Sequence, residues 1–554
     1  MTSQQPAAFA TEGHASFDIQ WMERQVDDQS GYGMCTSRVT AYFKNDLCLL
    51  SIDKASLQNS LTELREAIVR AFALIKANSP APDINDTKAF GSLYTGDNGI
   101  AVMATRIAIQ AKYLGGNKAE TDALISSAHS LAKERLSPHL VEIHPLHGQV
   151  SPTGSAHLGA AFARTFAAAA NMTSRNGGVC RIYSRDVACV CEAFDHACDE
   201  SYGLGYDDAL SGRAGLLRAV LAFRHFRLDR ETAASYELVF KNVPFLVDCI
   251  IEAGKIGAEM FVEEHGESEA LPLMWPCRGK YYVGSCHGIC GILAILLECE
   301  LEELGDGAPE SNHLHIIGKT ITQLCKLTIA NEGHLPSSLP HNPLARRSPL
   351  VQICHGAPGF LVLLARSRGI ARLASLEWEP CWDHAIYLAS QRVWEQGLIF
   401  KGGGLCHGIA GNAWPFLMLH NLFEYGPQGS RADRMAFNEK LAQTPPPPQK
   451  YSADQYLSRA LAFLLHARKT QPFNTHTYEE SVQYRMPDHP YSLYEGLSGT
   501  MVAWAEACVV IVARLRKMEV DEVVGHGAYH TDGAFCRDLR HVLGIPGIAV
   551  QGYI

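Results

Sequence analysis

A Gly-x-x-Gly element recurs along this chain, each time just ahead of an apolar, helix-like run, and nothing else in the sequence restricts the fold as much. It reads GDNG (Gly96–Gly99), GRAG (Gly212–Gly215), GICG (Gly288–Gly291), GAPG (Gly356–Gly359), GIAG (Gly408–Gly411) and GLSG (Gly496–Gly499). GSAHLG, Gly154 to Gly159, reads as a degraded seventh copy. Successive copies are roughly 50 to 90 residues apart, enough for two helices and their loops per repeat. Glycine permits close backbone approach at a tight turn, after which a helix begins.

The runs behind these turns, such as Ile100 to Leu114, Leu216 to Phe226, Ile292 to Leu301 and Met501 to Arg516, are apolar on most faces. They predict inner helices screened from solvent. More amphipathic segments between them, such as Leu61 to Lys76 and Tyr456 to Arg468, predict outer helices. Strand-like alternation is scarce. The expected class is all-α: an α/α toroid, a double ring of about seven inner and seven outer helices with a glycine-lined mouth. Periodicity alone leaves an open solenoid standing beside the ring. The expected organisation is a flexible tail over 1–36, the toroid over 37–524 and a C-terminal extension of uncertain structure over 525–554. Gly305 to Asn312 and Leu335 to Pro349 read as irregular. So does Gly426 to Asp454, with its proline run Pro445 to Pro448, which reads as a surface insertion at 426–454.

A hydrophobic fraction of 47% and a charged fraction of 19% suit a packed chain rather than a disordered one. The net charge of −10 argues against a nucleic-acid partner, which needs a basic face. The first residues, MTSQQPAAFATEGHASFDIQ, lack the basic and apolar regions of a secretory signal. No uninterrupted apolar stretch long enough for an integral membrane segment is expected. The expected compartment is the cytoplasm, with the nucleus or a peripheral membrane surface as alternatives. There the 17 cysteines are expected as thiols or metal ligands rather than as a disulfide framework.

Three Cys-His-Gly triplets, Cys286-His287-Gly288, Cys354-His355-Gly356 and Cys406-His407-Gly408, stand at equivalent places in three repeats. Cysteine and histidine delivered to one mouth from different repeats form the donor chemistry zinc prefers. A lone Cys-His pair would be weak evidence; three at equivalent positions predict a metal site without choosing its ligands. A second Cys/His cluster, Cys189, Cys191, His196 and Cys198 in CVCEAFDHAC, reads as an ordinary outer helix. Trp275 to Arg278, in a loop before the His287 block, read as a packed surface loop, with lining of the entrance as the alternative.

The blocks SLYTGDNGIA, GRAGLL, HGICGI, ICHGAPGF, KGGGLCHGIAGNAW and YSLYEGLSGT resemble, in order, the signature blocks of the eukaryotic LanC-like (lanthionine synthetase C-like) proteins. The resemblance spans roughly Ser92 to Thr500 and implies the closed toroid. It also implies zinc on Cys354, Cys406 and His407, with one position left for a substrate thiol. By the same resemblance His287 is the acid/base, Asp208 its partner in proton transfer, and Lys401 a group close to the pocket. Arg347 and Arg485 match basic positions suited to anion contacts, and His355 is a further candidate beside the ligand. Relatives often carry a small residue where this chain has Cys286, so a rival Cys-His pair remains as a possible ligand source.

The implied activity is zinc-dependent addition of a thiol, with glutathione as co-substrate, to dehydroalanine or dehydrobutyrine residues of a protein or peptide. A free thiol is mostly protonated at neutral pH, its pKa being near ~8.5, and a metal ion removes that proton. The alternatives are a non-catalytic zinc and glutathione sensor or scaffold, and a peptide lanthionine cyclase.

Overall fold

Seven backbone turns hydrogen-bond head to tail and close on themselves. In this computed structural model, which describes residues 41–548 except 84, 87–89, 139–148, 174–181, 225, 308–311, 343–347, 446–448 and 475–483, each turn donates one N–H to the next. Tyr94 donates to Thr153, Ser151 to Ser211, Leu210 to Cys286, Ser285 to Cys354, Cys354 to Cys406 and Cys406 to Tyr494. Tyr494 then donates to Tyr94, with all N···O distances between 2.8 and 3.3 Å. The last bond distinguishes a ring from a solenoid: the seventh turn meets the first.

An inner helix starts at every turn: Asp97–Leu114, Ala156–Thr173, Arg213–Phe223, Ile289–Leu296, Ala357–Gly369, Ile409–Tyr425 and Leu497–Val523. Each inner helix packs against the next, and Leu497–Val523 packs back on Asp97–Leu114. The outer layer is Lys54–Asn78, Lys118–Arg135, Ser184–Ala197, Val243–His265, Leu314–Ala330, Pro380–Gln396 and Ala453–Ala467. The all-α toroid of seven inner and seven outer helices is therefore the fold, and GSAHLG is a working copy of the turn.

Crowding explains the glycines. A Cβ on Gly291 would lie 1.9 Å from the Ser285 carbonyl oxygen, and one on Gly411 would lie 1.8 Å from that of Leu405. The carbonyl six residues upstream folds over the helix start, leaving no room for a side chain. Inner helices that begin on Gly212, Gly408 and Gly496 lack side-chain caps. Their first N–H groups, on Arg213, Ile409 and Leu497, donate instead to the carbonyls of Tyr206, Gly402 and Pro490. Solvent-facing outer helices use side-chain caps, Asp53 on Ser56 N–H and Ser452 on Gln455 N–H. Every residue of Ile289–Leu296 is buried, each large aliphatic there contributing about 1.5–3 kcal/mol.

Several expectations need correction. The 426–454 segment is not irregular throughout: Ser430 caps a helix over Arg431–Ala442, whose Phe437 is buried against Trp378 and under the Arg368 guanidinium. The helix expected over Ile292 to Leu301 stops at Leu296, and Leu301–Leu304 forms a separate 3-10 turn capped by Glu300. Ser338–Leu339 pairs with Tyr281–Tyr282 in a two-stranded antiparallel ladder, within a stretch read as irregular. Among the described residues one helix, Leu497–Val523, is long and apolar enough to cross a membrane, and 94% of its most apolar window is buried inside the protein. It is an inner helix of the ring.

The C-terminal extension has structure as far as it is described. After a 3-10 turn at Ala528–Thr531 and a helix at Gly533–Leu539, the Leu543 and Gly544 N–H groups donate to the buried Glu506 carboxylate. Arg106 Nη2 donates to the Gly544 carbonyl. The N-terminal tail and Arg347 lie outside the described residues.

Candidate metal centre and proton-transfer pair

Turns four, five and six bring the three Cys-His-Gly triplets together. Cys354 Sγ, Cys406 Sγ and one ring nitrogen of His407 all lie within 4.8 Å of one another. The cysteines are 6% and 2% exposed, while His407 is half-buried. The Cys354–Cys406 backbone bond joins neighbouring turns, so ring closure itself sets this approach. Gln352 Nε2 donates to Cys354 Sγ at 3.2 Å. Burial pushes the Cys354 thiol up, but hydrogen bonds from Cys286, Cys406 and His407 reverse this and hold it well below the usual thiol range. Two sulfurs and one imidazole nitrogen at this spacing suit a tetrahedral ion with bonds of about 2.0–2.3 Å, and soft donors of this kind favour zinc over a hard cation.

A second trio, Asp208, Cys277 and His287, also has its polar atoms within 4.8 Å of one another. His287 Nδ1 is 3.3 Å from Asp208 Oδ1. Burial alone would depress the His287 pKa; the Asp208 carboxylate, with the Cys277 thiol, lifts it to about 10. Asp208 Oδ1 also accepts from the Leu210 and Ser211 N–H groups, both at 2.8 Å, and Oδ2 accepts from the Ser211 hydroxyl at 3.0 Å. Burial raises the Asp208 pKa, yet His287 and these donors together bring it below the ordinary value. The pair is a buried carboxylate 3.3 Å from a buried imidazole.

Other candidates fall around these two groups. The His355 ring is 5.5 Å from that of Tyr282, which is 5.9 Å from that of His287, so His355 sits beside the mouth and outside the metal-competent trio. Lys401 is half-buried on the loop before Cys406. Arg485 N–H donates to the Phe400 carbonyl, which places the two basic residues on adjoining loops; the Arg485 side chain pairs with Asp488 at 2.9 Å. Asn412 Nδ2 bridges the Val351 and Gly397 carbonyls, and Asn98 Nδ2 binds the Gly91 carbonyl. Both asparagines secure turns.

Three contributors were not picked out as site residues. Gln352 lies two residues before Cys354, a spacing with no motif to mark it. Cys277 is buried, as is Trp275, whose Nε1 donates to the Ile250 carbonyl. The segment is a packed loop with Arg278 exposed, and no local signal relates Cys277 to His287. Glu495, beside Tyr494 in the seventh turn, is 3% exposed and neither carboxylate oxygen has a hydrogen-bond partner among the described residues. Burial raises its pKa, opposed by the charges of His407, His489 and Lys401.

The chain is similar in sequence to known proteins. The chain is 24% identical over 300 residues to the zebrafish (Danio rerio) protein named glutathione S-transferase LANCL1, covering 54% of this chain and 58% of that protein. It is 28% identical over 303 residues to the LanC-like protein GCL1 of Arabidopsis thaliana, 55% of each chain. Each match thus spans little more than half of the curated relative. Among solved structures, nisin cyclase aligns with a TM-score of 0.43 and 15% identity, covering 82% of this chain and 99% of that one. The profile of the lanthionine synthetase C-like proteins matches residues 87–434, more than half of the chain and inclusive of both trios. The chain belongs to the lanthionine synthetase C-like protein family.

Proposed function

We propose that the mouth of the ring binds one zinc ion on Cys354, Cys406 and His407 and adds glutathione to dehydroalanine or dehydrobutyrine residues of a cytoplasmic protein or peptide. The observation that carries this reading is the meeting of three soft donors from neighbouring turns within 4.8 Å. Zinc in such a set lowers the pKa of a thiol taking the remaining position and keeps it as a nucleophile.

The chain's own groups do the rest. The thiolate pair forms the S–Cβ bond, the Cα=Cβ pair shifts towards the carbonyl, and His287 delivers the proton that ends on Cα. The proton released by the glutathione thiol returns to His287 through solvent, so the addition is redox-neutral. Asp208 is the positioning residue for His287, held in place by its bonds to Leu210 and Ser211. Lys401 and Arg485 face the anionic ends of glutathione or the developing enolate oxygen, as positive charge should where negative charge gathers. His355 flanks the bound thiol.

The test combines metal analysis with a dehydroalanine peptide and glutathione, read by mass spectrometry. One zinc per chain and a peptide heavier by one glutathione are expected. Zinc-loaded protein that binds glutathione and leaves the peptide unchanged would favour the sensor instead.

A further inference from the structure

A third sulfur stands at the metal-competent trio. Cys286 Sγ is 3.9 Å from Cys406 Sγ, which in turn lies within 4.8 Å of Cys354 Sγ. Sulfurs bound at about 2.3 Å to one tetrahedral zinc ion stand ~3.8 Å apart. The Cys286–Cys406 separation therefore has the length of one edge of such a tetrahedron. Cys286 is only 7% exposed, and among the described residues its sulfur is hydrogen-bonded to that of Cys406. It is nevertheless outside the set whose donor atoms all lie within 4.8 Å of one another.

Its backbone explains how it can be both near and apart. The Cys286 carbonyl accepts from Leu210 N–H, and the preceding Ser285 N–H donates to Cys354, so two ring bonds pin the main chain on either side. The sulfur moves only by rotation about its own χ1. Side chains occupy three staggered χ1 wells, so the sulfur can change direction while the main chain stays fixed.

We propose that Cys286 is an exchangeable fourth ligand, completing a Cys3His set when no substrate thiol is present and turning aside when one arrives. This rests on the zinc reading above. The exchange balances: the incoming thiol gives its proton to the departing Cys286 sulfur, one metal–sulfur bond breaks as another forms, and no oxidant is needed. The tethered thiol protects the metal between turnovers. It also makes every substrate thiol compete with a neighbour at high effective concentration.

Cobalt-exchanged full-length protein reads the ligand count without any turnover. Wild type and Cys286→Ala should each hold one cobalt, with sulfur-to-cobalt charge-transfer absorbance in the variant lower by about one third, as two sulfurs replace three. Glutathione should leave the wild-type intensity nearly unchanged, sulfur replacing sulfur, and should raise that of the variant to the wild-type level. Its Kd should be roughly tenfold lower in the variant, where the competitor is gone. Cys286→Ser, which keeps the volume of the side chain, should give the same spectra if the alanine chain is unstable. Identical wild-type and variant spectra with one metal bound overturn this proposal alone. A wild-type chain that takes up no metal overturns it together with the zinc reading.

Discussion

The two buried trios use nearly the same residue types and differ in one neighbour. Cys354, Cys406 and His407 have sulfurs for company, whereas Cys277 and His287 have the Asp208 carboxylate. In the second trio three donors from Leu210 and Ser211 already occupy the carboxylate, and its remaining interaction is with the His287 ring. A metal ion there would have to displace turn-forming hydrogen bonds. In the first trio the proposed function gives the sulfur and nitrogen lone pairs to a cation. On that proposal the His407 imidazole is a ligand, and the His287 imidazole, beside its carboxylate, carries the proton. The lesson is that a Cys-His-Gly triplet acquires its role from the turn opposite it.

Substitutions should separate the two roles. Cys354→Ala or Cys406→Ala is expected to bring glutathione addition down to the rate without protein, measured by adduct formation. His287→Gln should slow addition by ~10²–10⁴-fold, with metal content and glutathione binding unchanged; loss of metal in that variant would erase the distinction between the trios. Gly291→Ala and Gly411→Ala disturb the ring beside the second and first trios respectively. With a backbone oxygen where each new methyl must go, each should cost about 3 kcal/mol or more, seen as a lower denaturant midpoint. Similar losses at both would show that one ring supports both sites.

The smallest effect concerns a histidine with neither kind of partner. His420 is fully buried, its Nδ1 on the Ala453 carbonyl at 2.9 Å. Burial depresses its pKa to about 4, opposite in direction to His287. The folded chain keeps it neutral while the unfolded chain takes up a proton below about 6.5. Its contribution is full above that pH and is lost as the pH falls towards 4, by up to ~1.4 kcal/mol per pH unit. Denaturant titrations should show a weaker acid dependence in His420→Gln than in wild type.

Much of this was visible in the residues. The glycine spacing carried the ring because each glycine answers a local demand, a carbonyl packed over a helix start. The resemblance to LanC-like proteins pointed to Cys354, Cys406 and His407, which the structure brings together, and to the His287–Asp208 pair, which it also forms. What escaped depends on contacts made across the ring. Cys277 approaches His287 from a separate segment, and Gln352 serves Cys354 through a side chain with no motif. The helix Arg431–Ala442 was hidden by its weak apolar pattern, since Phe437 is its one buried residue. The extension after residue 525 owes its order to Glu506 and Arg106, buried partners on inner helices distant in sequence.

The most direct measurement is the metal content of purified full-length protein, compared among wild type, the double variant Cys354→Ser/Cys406→Ser and Cys277→Ser. One zinc per chain in wild type, none in the double variant and one in Cys277→Ser is the expected result. Zinc retained in the double variant, or lost with Cys277→Ser, would contradict the assignment of the metal to the first trio and the proton to the second.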